Sequence, residues 1–135
     1  MSQNPSDLPR KVAAEFVGTA FLVATVIGSG SMATNLTKDI GLQLLVNSLI
    51  TGAVLVALIL TLQPVSAAFN PVVTAVEAAF GGISWRDAGF FSVAQIAGGT
   101  LGAVVANLMF DLDAVSISVH ERSGTGQWLG EVVAT

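Results

Sequence analysis

The chain has 135 residues, of which 53% are hydrophobic and only 10% charged, with a net charge of −4 and no cysteine. A water-soluble domain carries about 25% charged residues, so lipid is the expected solvent, and the length allows one domain. The acidic balance offers no basic patch for nucleic acid, and the lack of cysteine excludes a disulfide framework or a thiolate metal site.

The opening "MSQNPSDLPRK", residues 1–11, is polar, holds two prolines and reads as a cytoplasmic tail. Three stretches, about 12–33, 40–62 and 88–110, carry almost no charge. Each is long enough for the ~20 residues that cross ~30 Å of hydrocarbon, so three membrane-spanning helices are predicted in an all-α membrane protein. A cleavable signal has an apolar core of only ~7 to 15 residues; the first stretch is longer and a second span follows almost at once, so it is expected to stay. The short polar connection 34–39 makes the first two helices antiparallel neighbours. Arg10, Lys11 and Arg86 on one side outweigh Lys38 and Arg122 on the other, which favours a cytoplasmic N-terminus in a multi-pass protein of the cell membrane. Asp111, Asp113 and Glu121 then decorate an outer loop, and His120 is a loop residue without nearby ligands.

After Leu62 come "QPVSAA" and "FNPVVT". Asn70 has the side chain favoured at a helix N-cap, and Pro71 fits the first helical position, where its missing N–H would have had no partner. The helix begun there stops at Gly81-Gly82. Its predicted extent, 71–80, is about 15 Å long, half the hydrocarbon thickness. A re-entrant half-helix is one reading, and a non-helical backbone at that depth is tolerated only where protein buries it or where it lines a watery cavity. The other reading is a helix lying along the interface, although Glu77 is the segment's sole charge and the usual basic face is missing. Ser84-Trp85-Arg86-Asp87 resembles a capping box opening the third span, with Trp85 suited to the interface.

Glu15 lies near the start of the first span. An unpaired carboxylate in a membrane helix costs about 2.5 to 3.5 kcal/mol or more, so it either finds a backbone or side-chain partner or escapes to the interface. Gly98 and Gly102 form a GxxxG, which permits close helix approach. No nucleophile and base stand at a plausible spacing, so neither enzymatic chemistry nor a cofactor is expected.

Residues 14–19 read "AEFVGT" and residues 130–135 "GEVVAT", pairing Glu15 with Glu131 and Thr19 with Thr135. Internal repeats are common in transporters and channels, and the chain reads as a first repeat over 12–126 followed by the start of a second, truncated one at 127–135. The order "AEFVGT", then Asn70-Pro71-Val72 in place of Asn-Pro-Ala, then "AQIAGGTLGA" over 94–103, resembles the N-terminal half of the aquaporins and aquaglyceroporins, the major intrinsic proteins. In that family two such halves, inserted in opposite directions, bring two half-helices tip to tip at the bilayer midplane.

The resemblance implies a channel for small neutral solutes such as water, glycerol or arsenous acid, acting in the bilayer and assembling as a homo-oligomer, tetrameric in the family. It implies that Asn70 offers its amide to the solute beside Pro71 and Val72, and that Glu15 and Glu131 brace the re-entrant loops. Gln95 either braces a loop in the same way or makes an ordinary interhelical hydrogen bond. Three departures matter. Val72 replaces the usual alanine; "SAAF" is one residue shorter than the usual "SGAHF" and lacks its histidine; and the selectivity position on the second helix falls on Thr51 or Ile50, neither of them aromatic. A missing ring widens the constriction, which favours glycerol-sized or metalloid solutes, and "GISWRDAG" and "RSGTGQWLGEVVAT" are similar to aquaporins accompanying bacterial arsenic resistance. A second Asn-Pro-Ala would fall beyond Thr135. Two further expectations follow, a truncated product or an assembly of copies with antiparallel halves. The competing function is a nonconducting fragment or subunit that associates with full-length channels through Gly98 and Gly102.

Overall fold

A computed structural model describes residues 7–117 and 123–134. His120, Glu121, Arg122 and Thr135 lie outside the described residues. The described chain is helical: α1 (Leu8–Leu36), α2 (Ile40–Leu62), α3 (Pro71–Ala79), α4 (Trp85–Met109) and α5 (Thr125–Ala134). By length and composition α1, α2 and α4 are each able to cross a membrane.

The middle span begins and ends where expected, but α1 and α4 start earlier. α1 takes in the end of the stretch read as tail, because Pro9 is tolerated in a first turn and Arg10 and Lys11 are good helix formers. Its 29 residues are about 43 Å long, so both ends outreach the hydrocarbon. α4 opens at Trp85 because Ser84 caps it, accepting a hydrogen bond from the Asp87 N–H at 3.0 Å. Asp39 caps α2 in the same manner, from the Leu42 N–H.

The principal contact is α1 against α4. A Cβ built on Gly98 would stand 2.2 Å from the carbonyl oxygen of Phe16, and one on Gly102 would stand 2.3 Å from that of Ala20. The pairings 16 with 98 and 20 with 102, continued by Gly28 beside Phe110, show the two helices running parallel. Only glycine admits such an approach of backbones, and close approach is how helices gain dispersion energy where lipid supplies no hydrophobic drive. Both glycines are therefore occupied by α1 of the same chain, which removes them as a docking surface for another chain.

α2 packs on the other flank of α1. The contact is pinned by Asn47, whose Nδ2 donates to the Val26 carbonyl at 2.8 Å and to Ser29 Oγ at 3.0 Å. Asn47→Leu is expected to lower stability by about 0.6 to 2 kcal/mol, the range for interhelical hydrogen bonds in bilayers; unfolding in mixed micelles would measure it. No residue of α2 is buried within the chain, so lipid or further protein must cover its leucine-rich face.

Candidate functional site

The site grows from the break between α2 and α3. Pro64 and the turn that follows Leu62 end the second span, closed by the Ser66 N–H on the Leu62 carbonyl at 2.9 Å, and residues 67–69 run without helical hydrogen bonding to Asn70. Backbone N–H groups in such a segment need acceptors, because in an apolar setting an orphan costs several kcal/mol.

Glu15 supplies them. Its carboxylate is fully buried. It accepts from the N–H of Ala68 (Oε1, 2.9 Å), the N–H of Phe69 (Oε2, 2.7 Å) and the hydroxyl of Ser66 (Oε1). A fourth donor is Gln95 Nε2 on α4, 2.8 Å from Oε2. The same Nε2 donates to Thr74 Oγ1 on α3 at 2.8 Å. Of the two fates open to Glu15, the structure shows the partnered one, and four donors suit a group that offers only acceptors. Gln95 and Thr74 are almost wholly buried, so one hydrogen-bonded cluster ties α1, the extended segment, α3 and α4 together. The Oε1 of Gln95 has no partner among the described residues.

Phe69 stands at the corner. Its φ is +52°, in the left-handed region that bulky residues avoid. Its ring is buried over Gly18 of α1. Asn70 follows in extended conformation and caps α3 through Oδ1, which accepts from the Val72 N–H at 2.8 Å. The Asn70 Nδ2 has no partner among the described residues. Pro71 opens the helix, and Val72 is about half exposed. The C-terminal end of α3 turns at Gly81, φ +77°, and closes with the Gly82 N–H on the Glu77 carbonyl. Asn70→Ala is expected to cost about 1 kcal/mol through the lost cap, read as faster amide exchange at Val72.

The remaining predicted residues fall outside this cluster. Thr51 Oγ1 is shut off from the surface without a partner among the described residues, while Ile50 is 38% exposed. Of the two candidates on α2, Ile50 is the more exposed. Glu131 sits on α5. Sequence reasoning missed Ser66, Thr74, Phe69 and Gly18. A signal existed for Thr74, a hydroxyl one turn after Asn70 in an apolar helix, and for Gly18, inside the "AEFVGT" motif.

A helical chain with three potential spans, and with a short capped helix whose lead-in is held by a buried carboxylate, defines an integral membrane protein built around a braced loop. The profile of the major intrinsic proteins matches residues 2–134, and the chain belongs to that family. It is similar to the aquaglyceroporin AqpS of Rhizobium meliloti (strain 1021), with 47% identity over 129 residues, covering 95% of this chain and 55% of that protein. It is also similar to the aquaporin NIP1-1 of Arabidopsis thaliana, with 34% identity over 105 residues, 77% of this chain and 35% of the plant protein. The chain thus spans about half the length of the first of these relatives and a third of the second.

Proposed function

We propose that the chain forms one half of a channel wall for passive permeation of small neutral solutes, with α3 as a re-entrant half-helix. The observation that carries this reading is the acceptor set of Glu15, spent on the backbone just ahead of Asn70. Such bracing is what a non-helical segment needs at membrane depth and what a helix lying at the wet interface would not need. The nine residues of α3 are about 14 Å long, half the hydrocarbon. Its N-terminal end carries about +0.5 of a unit charge, which disfavours cations and admits neutral polar molecules. Asn70 then presents its free amide to the solute, with Pro71 and Val72 beside it.

An open cleft lined by Lys11, Gln63, Ser66, Val73 and Glu77 lies along the extended segment, and in this reading it is the cytoplasmic mouth. Solutes of glycerol size and arsenous acid fit a constriction without an aromatic at Ile50 or Thr51, and one relative carries the name aquaglyceroporin. The greater exposure of Ile50 favours that position over Thr51. Closure of a pore requires a second half, from further chain or from another copy in antiparallel orientation, within a homo-oligomer.

Swelling of proteoliposomes in gradients of water, glycerol and arsenite tests the proposal. Glycerol and arsenite flux above that of empty liposomes is expected once a complementary half is present. Folded, inserted protein that never exceeds empty liposomes, with or without that half, would instead indicate a nonconducting subunit. A pore passing water alone would defeat the wide constriction.

A further inference from the structure

We infer that Phe69, seated on Gly18, is the positioning residue that aims the Asn70 amide. The inference rests on the reading that Asn70 faces the solute, but the observations behind it concern the corner itself. Phe69 is the single left-handed residue between the extended segment and the cap, with φ +52° against φ −149° at Asn70. Glycine is the default residue for such a conformation, since it adopts positive φ without steric cost. A phenylalanine there needs external restraint, and two are visible.

The first restraint acts on the main chain, where the Phe69 N–H donates to Glu15 Oε2 at 2.7 Å. The second acts on the side chain. A Cβ placed on Gly18 would lie 2.1 Å from Cε1 of the ring, 2.7 Å from Cδ1 and 2.8 Å from Cζ, so the ring fills the space a larger residue would take. The ring is only 5% exposed. Positions 15 and 18 are one turn apart and share a face of α1. One turn of α1 therefore grips residue 69 by backbone and by ring together, and the direction in which residue 70 leaves is set by that grip. A hydrogen bond alone leaves the ψ of residue 69 free to drift. The seated ring removes that freedom.

The test uses the full chain in nanodiscs, with three readouts: the side-chain amide signals of Asn70 by NMR, backbone exchange at Ala68 and Phe69, and glycerol flux in the presence of a complementary half. Gly18→Ala is expected to move the Asn70 side-chain signals and to speed exchange at Ala68 by about tenfold or more, as local opening becomes easier. Phe69→Gly accepts the left-handed backbone without strain and keeps the N–H to Glu15 but removes the seated ring, so it is expected to move the same signals and speed the same exchange. The double variant is expected to differ little from either single one, because both substitutions act through one ring; a separate packing role for Gly18 would instead add to the effect of Phe69→Gly. The inference is overturned if Gly18→Ala or Phe69→Gly leaves the Asn70 signals and the exchange unchanged, or if the two effects add. Where Gly18→Ala fails to fold, Phe69→Gly alone decides in the same sense. Loss of flux that tracks the Asn70 signals supports both readings, whereas an unsubstituted chain that never conducts sinks the channel while the NMR readouts still decide on Phe69.

Discussion

Glu15→Leu is expected to lower the unfolding free energy by about 3 to 5 kcal/mol, the scale seen when one side of a buried charged network is removed. Leucine has similar volume, so the loss comes from polar groups and not from a void. The Ala68 and Phe69 N–H groups, the Ser66 hydroxyl and the Gln95 amide all donate to the carboxylate and would be left without it. Gln95→Leu removes one of these donors together with the link to Thr74 and is expected to cost less, about 1 to 3 kcal/mol. The double variant should fall short of the sum, because with Glu15 gone there is less for Gln95 to hold; contacting residues show coupling of about 0.5 to 3 kcal/mol. Equilibrium unfolding in mixed micelles, monitored by tryptophan fluorescence and circular dichroism, measures all three. An additive result would mean that the two side chains do not form one cluster.

Gly98→Val is the second large effect. The added Cβ meets the Phe16 carbonyl oxygen at 2.2 Å and its carbon at 3.0 Å. Both are backbone atoms that cannot turn aside. Tolerated C···O contacts begin near 3.3 Å, so α1 and α4 must part by about 1 Å. That displacement would stretch the 2.8 Å bond between Glu15 and Gln95, one turn along the same interface, past useful length. A loss of about 3 kcal/mol or more is expected, combining overpacking with the broken polar link. Gly89 is the internal control. It lies in α4 with nothing within 4 Å of a built Cβ, so Gly89→Ala is expected to leave stability unchanged or raise it by up to about 1 kcal/mol. Equal destabilisation at both positions would show that helix propensity, not the close approach, governs the glycines.

These two effects also mark what the sequence could and could not tell. α2 was readable to its last residue, because Asp39 caps its start and Gln63-Pro64 punctuates its end. The start of α1 was not, since polarity in "DLPRK" marks exit from lipid and not the end of helix. The Asn70-Pro71 start of α3 was legible from local cap chemistry, and so was the glycine turn that stops it. The partners of Glu15 were not. They stand between 51 and 80 residues away, and one of them is a phenylalanine whose backbone N–H matters more to the carboxylate than its ring. Nothing in an apolar letter announces a left-handed backbone. Which of Thr51 and Ile50 is the more exposed depends on helix rotation, which Asn47 sets by fixing the face of α2 that meets α1.

The 80-residue separation between Glu15 and Gln95 also bears on biosynthesis. At about 5 to 20 residues per second, the glutamate leaves the ribosome roughly 4 to 16 s before the glutamine that completes its surroundings. For the first 51 of those residues the carboxylate meets none of its four donors, and held in hydrocarbon without one it costs about 2.5 to 3.5 kcal/mol or more. Ser66, Ala68 and Phe69 come within reach next, and Gln95 follows on α4. Maturation is thereby ordered by which partner emerges when.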